Sequence, residues 1–365
     1  MTGARIVAAR RSPVVPCGGA LARLEPHDLA APVVAALLAD AGLPPAQVDE
    51  LILSNALGGG GNPARLAALA AGLPVMVGGL SIDRQCCGGL DAILLAEALI
   101  RAGRHQAVIA GGAESYSRRP LRLRSDPDGG PAVPYDRPPF TPWPDRDPGM
   151  AEAAHAIARD LGIPRAAQDA WAVASHARAL AAPPCPGLVP IGGIARDPYA
   201  RALTPRLAAR APALAGSVSA ANTAVAADGA AFCLLVSDAL ARRLGLQGAR
   251  ILGAASLGAD PEWPGLAPVP AIRAVLAQAG LTPEDLDAVE LMEAFAIQAM
   301  ACADLAGLPA DRINRGGGAL ARGHPIGASG AVNAVRLFHD LRPGQRGLAA
   351  IAAAGGLGSA LVMQR

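Results

Sequence analysis

The chain has 365 residues, 52% hydrophobic and only 17% charged, which is enough apolar material for two or three compact units around a large core. A net charge near +2 is no footprint for nucleic acid or a strongly acidic partner, and all 32 basic residues are arginine. Without a lysine, a Walker A site, a Schiff-base lysine and pyridoxal-phosphate chemistry are excluded together.

Aromatic residues make up 3% of the chain, so the core is expected to be close-packed from small side chains. The opening MTGARIVAARRSPVV has no apolar stretch of signal-peptide length, and no run reaches the roughly 18 apolar residues of a membrane span. A cytoplasmic protein without membrane association is expected. The six cysteines, at 17, 86, 87, 185, 233 and 302, are scattered and lack Cys-x-x-Cys spacing. Neither a disulfide framework nor a metal site is anticipated.

In chain order, ARIVAA from residue 4 reads as a strand. Residues 29–53, LAAPVVAALLADAGLPPAQVDELIL, read as an amphipathic helix stopped by Gly42, a proline-containing turn and an apolar strand. NALGGGGNPARL lacks the G-x-G-x-x-G spacing of a dinucleotide loop and is taken as structural. RQCCGGLDAILLAEALI sets two cysteines ahead of a helix, and IAGGAES follows as a strand. Residues 117–148 are rich in Pro, Arg and Asp and read as an excursion, with SRRPLRLR a solvated loop. Two helices divided at Gly-Ile-Pro come next, and APPCPGLVPIGGIARDP returns the chain to the core.

The pattern then starts again. Residues 267–291, APVPAIRAVLAQAGLTPEDLDAVEL, align without a gap on 29–53 at a constant offset of 238, preceded by ARILGAA as ARIVAA precedes the first copy. AGG at 110 recurs at 354. Two copies of one α/β unit are therefore expected, with 1–116 and 206–245 forming the first half, 117–205 an inserted loop domain and 246–365 the second half.

The same offset carries Cys86 onto His324, in ARGHPIGASGA. Equivalent positions in a duplicated fold lie symmetrically about its axis, so a cysteine and a histidine are expected to converge. Each is placed at a strand-to-helix turn, where helix N–H groups lower a thiol pKa. A buried structural cysteine is the commonest alternative for Cys86. Cys87 is read as packing on the opposite face.

Taken together, RQCCGGLDAI, AGGAESYSRRP, SVSAANTAVAADGAA, VELMEAFAIQAM, INRGGGALARGHPIGASGA and AAGGLGSALVMQ resemble, in order and over nearly the whole chain, the signatures of the thiolase family. The resemblance implies a five-layered αβαβα fold and a homodimer or homotetramer. It further implies a two-step acyl transfer in which Cys86, activated by His324, takes an acyl group from coenzyme A, a substrate rather than a tightly bound cofactor. It places the oxyanion donors at the backbone of Cys86 and at Ala354 and Gly355.

The sequence also departs from the family pattern. Ala352 stands where the resemblance places the second acid/base cysteine, and Met292 where it places the asparagine of the Asn-Glu-Ala-Phe motif, ahead of Glu293 and Phe295. Ala224 takes the place of a serine in the pantetheine-side loop, with Ser219 nearby, and Gly323 precedes the histidine. Arg146 and Asp147 fall where a histidine and a methionine are expected near the acyl pocket. Acylation keeps its residues, whereas the second half-reaction loses a base. Three explanations stand open: an engineered alanine, another base such as Glu293, Cys302 or the substrate, or a non-carbon acceptor. Competing readings are a decarboxylative condensing enzyme, a non-catalytic thiolase-like subunit and a cysteine hydrolase.

Overall fold

A computed structural model describes residues 3–365. Its main sheet runs, edge to edge, through Leu80–Ile82, Glu50–Ser54, Ala107–Ser115, Ala227–Ser237, Ala4–Arg11, Ala249–Gly258, Leu357–Gln364, Arg346–Ala353 and Ala288–Leu291. The halves join where Arg5 faces Arg250 and Ile6 faces Ala249. Within each half the connectivity is the same. A short strand lies parallel to a longer one, which is antiparallel to the third, which is antiparallel to the fourth.

Helices divide the structure into five layers. Pro26–Ala41 covers the outer face of the first half-sheet and Pro268–Ala279 that of the second, while Gly88–Arg101 and Ile326–Asp340 lie between the half-sheets and touch both. The outer helices end alike, at Gly42 with φ 57° and Gly280 with φ 64°. Glycine enters that left-handed region without a Cβ penalty and so stops the helix. The central core is built from Leu90, Ile93 and Ile100 of one inner helix and Val332, Val335 and Leu337 of the other.

One detail of the duplication differs from the sequence expectation. Glu50 pairs with Val108 and Ala288 with Gly347, so the repeat keeps almost the same spacing here, and AGG at 110 does not correspond to AGG at 354. The first AGG lies inside a strand, and Gly112 allows Gly327 to press against it. The second lies at the turn after Ala353. Small residues recur at both places for separate packing reasons.

The inner helices approach more closely than side chains would allow. A Cβ on Gly89 would stand 2.8 Å from the Gly327 carbonyl oxygen, and one on Gly330 would stand 2.5 Å from the Leu90 nitrogen. Backbone therefore meets backbone where the two helices begin, and the residues just ahead of them are drawn together. The excursion supplies helices Met150–Asp160 and Arg165–Ala181, which pack on Ala296–Leu305. Among the described residues no helix is long and apolar enough to cross a membrane.

Candidate active site

Cys86 sits in the 3-10 turn Gln85–Cys87 that leads into Gly88–Arg101. The turn is held in an uncommon shape, because Gln85 has φ 51°, a region that costs a side-chain-bearing residue about 1–2 kcal/mol. Asp83 accepts the Gln85 N–H at 2.9 Å and helps to hold it there. Cys86 and Cys87 are both free thiols. Cys87 is fully buried and turns its sulfur to the carbonyls of Ile351 and Leu357 in the other half.

His324 follows the short helix Ala319–Arg322 rather than a strand, and its N–H donates to the Val225 carbonyl at 2.7 Å. Gly323 makes that entry possible, with φ 113° and no room for a Cβ beside Ala227. The imidazole Nε2 lies 3.1 Å from Cys86 Sγ, and Nδ1 lies 2.6 Å from Ser329 Oγ. Ser329 spends its single proton on the Pro325 carbonyl at 2.9 Å and so can only accept from the ring. Nδ1 therefore carries the proton, and the Nε2 lone pair faces the thiol.

Burial sets the resting charge of the pair. It pushes the Cys86 thiol up to about 12, which outweighs the stabilising N–H groups of Cys86 and Ala354, while Glu114 and Asp83 push the same way as burial. Burial also lowers His324 to about 4. The net shift at Cys86 is opposite to that expected from its helix N-terminus, because desolvation of a thiolate exceeds what a few N–H dipoles return. The resting state is a neutral thiol beside a neutral imidazole.

Glu114 anchors the helix that follows His324. It is fully buried and accepts from Asn55 Nδ2, the N–H groups of Ala56 and Leu57, and the Gly327 N–H at 2.9 Å. Burial raises it to about 7 despite those donors.

Cys86 and His324 open onto a cavity of about 210 Å³ whose wall is mainly apolar, including Met150, Ile157, Pro264, Phe295 and Ile326. Ala352, Ala353 and Ala354 form one side and Ala224 another. Among the described residues that line it, the ionisable groups are Cys86 and His324 alone.

The family models for the thiolase N-terminal and C-terminal domains match residues 4–239 and 246–365. The chain belongs to the thiolase family. It is 40% identical to a putative acetyl-CoA C-acetyltransferase, YhfS, of Bacillus subtilis, over 98% of each chain. It is 39% identical to an acetyl-CoA acetyltransferase of Cupriavidus necator over the whole of both. The crystal structure of the Bacillus anthracis acetyl-CoA acetyltransferase superposes with a TM-score of 0.92 at 36% identity, covering 100% of this chain and 98% of that one. An Ascaris suum thiolase solved in complex with coenzyme A gives 0.93 at 29% identity, with full coverage of both. This thiolase is accordingly an acyltransferase.

Several residues singled out in the sequence lie elsewhere than expected. Arg146 is turned to Glu262 and Asp260, and Asp147 is paired with Arg137, so neither lines the cavity, whereas Met150 does. Ser219 is fully buried among Asp169 and Asn222 and is not part of the wall. Met292 packs into the central core. Gly355, at φ 77°, backs onto the Phe140 carbonyl, leaving Ala354 as the turn residue that faces Cys86.

Neither proposed substitute base reaches the cavity. Glu293 is fully buried and accepts from Trp171 Nε1, Ser175 Oγ, Asn314 Nδ2 and the Leu320 N–H. Cys302 lies behind the wall, 3.1 Å from the Gly265 carbonyl, with its thiol pushed up to about 12 by burial. Sequence reasoning missed Ser329, although it stands inside the GHPIGASG motif, as well as Glu114 and Met150.

Proposed function

We propose that this thiolase takes an acyl group from an acyl-CoA thioester onto Cys86 and is slow in the carbon–carbon step that normally follows. The 3.1 Å contact between Cys86 Sγ and His324 Nε2, in a cavity with no other ionisable group among its described lining residues, supports this reading most directly. As the thioester enters, His324 Nε2 takes the thiol proton while Sγ attacks the carbonyl carbon. The N–H groups of Cys86 and Ala354, already directed at the sulfur, are placed to receive the oxyanion. Collapse breaks the carbon–sulfur bond to coenzyme A, whose thiolate takes the proton from His324 and leaves acyl-Cys86. The apolar wall suits a hydrocarbon acyl chain.

Claisen condensation then requires a base at the acetyl α-carbon, and thiolysis one at the incoming thiol. The methyl of Ala352 supplies neither, and loss of such a group costs about 10²- to 10⁴-fold. Ala352 also favours a second reading, decarboxylative condensation, because loss of CO₂ generates the carbanion without a second base. Turnover of malonyl-CoA would distinguish it.

Intact-protein mass spectrometry after incubation with acetyl-CoA and with a longer acyl-CoA tests the first step. An adduct of acyl mass that disappears in Cys86→Ala is expected. No adduct on the unaltered chain would show that Cys86 is not the nucleophile.

A homodimer or homotetramer is part of the proposal. The edge strand Leu80–Ile82 is paired on one side only, and Leu66, Leu69, Val75 and Met76 are exposed in the segment leading to it. Light scattering that gave a monomer would contradict it.

A further inference from the structure

A second cavity, sharing no lining residue with the catalytic one, lies under the returning loop and encloses about 470 Å³. A neighbouring cavity of about 380 Å³ shares Cys185, Gly316 and Arg336 with it. Arg11, Arg196, Arg322 and Arg336 line the larger space, and Asp197 is the one acidic residue among its lining residues. Arg11 is held by Asp197 through two bonds of 2.7 and 2.9 Å. Arg336 and Arg322 share a single buried carboxylate, Glu290, at 3.1 and 3.8 Å. Four guanidinium groups thus meet Asp197 and Glu290, while Asp340 in the wall of the neighbouring cavity also attracts Arg336 and Arg322, so the guanidinium groups outnumber the carboxylates by one.

Two of these guanidinium groups have donors to offer. Arg322 and Arg336 are 3% and 7% exposed, yet the hydrogen bonds of Arg336 to described residues are made by Nε alone, leaving both terminal nitrogens without a partner. Arg322 bonds through Nη1 to the Gly317 carbonyl and has no other hydrogen bond to described residues. Arg196 is exposed and has no described partner. Buried guanidinium groups without enough counter-charge are costly. Burial and the neighbouring Arg336 accordingly lower Arg322 to about 10.

We propose that this cavity binds a phosphate dianion, either free or as the phosphomonoester of a small molecule, between Arg322, Arg336 and Arg196. A phosphate group supplies the missing negative charge, and planar guanidinium forks fit its oxygens two at a time. Leu180, Pro183, Pro184 and Leu188 give an organic portion an apolar wall.

Cys185, half-buried in the same wall and against the Arg11 guanidinium, is a built-in reporter. Its alkylation by iodoacetamide is followed by peptide mass spectrometry while inorganic phosphate or adenosine monophosphate replaces chloride at constant ionic strength. Saturable protection of Cys185, with the Cys86 rate unchanged, is expected. Arg196→Ala, at an exposed site where folding is not at risk, should weaken that protection about tenfold, the value of one charge-assisted hydrogen bond. Arg322→Leu should abolish it. Protection by both compounds at equal concentration indicates free phosphate as the ligand, whereas protection by adenosine monophosphate at much lower concentration indicates a phosphomonoester. The proposal is overturned if neither compound protects at millimolar concentration, if Cys86 is protected in parallel, or if Arg196→Ala and Arg322→Leu behave like the unaltered chain.

Discussion

Cys86 Sγ and His324 Nε2 stand 3.1 Å apart although 238 residues separate them, which is the offset of the internal duplication. The two residues occupy equivalent places ahead of equivalent inner helices, and the pair therefore spans the pseudo-two-fold axis. Gly89, where the helices touch, falls on Gly327 at the same offset.

In the proposed mechanism, Ser329 fixes the tautomer in which His324 would act as a base. In Ser329→Ala the Nδ1 proton loses its acceptor, and the ring is free to present the wrong nitrogen to the thiol. The rate of Cys86 acylation should fall about tenfold, corresponding to one hydrogen bond of about 1–1.5 kcal/mol, with little change in thermal stability. Stopped-flow release of coenzyme A measures it, and an unchanged rate would remove Ser329 from the mechanism.

With the thiol near 12 and the imidazole near 4, no thiolate–imidazolium pair is stored at rest. Alkylation of Cys86 by iodoacetamide should therefore keep rising by about tenfold per pH unit up to pH 9, the behaviour of a thiol whose pKa lies above that range, whereas an ordinary thiol would level off at about pH 8.5. A plateau between pH 6 and 8 would mean that an ion pair exists before substrate arrives.

His324 also affects stability. Its folded pKa, about 4, lies below the unfolded value of 6.5, so as pH falls below about 6.5 the unfolded chain takes up a proton that the folded chain refuses. Stability is thus lost between about pH 6.5 and 4, amounting to about 3 kcal/mol at 1.36 kcal/mol per unit. Glu114 runs the other way: its folded pKa is raised to about 7 from 4.5, and the stability it contributes in acid is lost as pH rises through 7. Urea melts of His324→Asn should show a smaller acid loss than the unaltered chain. Equal losses would exclude the burial of a neutral imidazole.

Gly89 lies where the inner helices touch. Gly89→Ala would bring a methyl within 2.8 Å of the Gly327 carbonyl oxygen and 2.9 Å of the Ala331 nitrogen, both backbone atoms of the partner helix. Such overpacking costs about 1–3 kcal/mol, and by separating Cys86 from His324 it should also slow acylation. Chemical denaturation alongside the acylation rate checks both expectations.

The duplicated half was legible because helix period, glycine stop and apolar strand repeat locally, and the Cys86 and His324 pairing followed from the offset. The polar supports were not legible, because their partners are distant: Glu293 is sealed by residues from three separate segments, and no local pattern announces it. The insertion's cavity-lining positions were expected at Arg146 and Asp147, whereas Met150 lines the cavity, because the preceding loop has no periodicity to fix its register. The charge imbalance around Glu290 was equally invisible, since Arg322 and Arg336 meet it only when helices and strand pack.

The central claim, that acylation survives while the second half-reaction is slowed by Ala352, is tested most directly by Ala352→Cys. Once acyl-Cys86 has formed, the rate of thiolysis by added coenzyme A is measured in single turnover for both chains. The restored cysteine should raise that rate about 10²- to 10⁴-fold while leaving the acylation rate within about twofold. Equal second-step rates in the two chains would contradict the account and mean that another group already serves as the base.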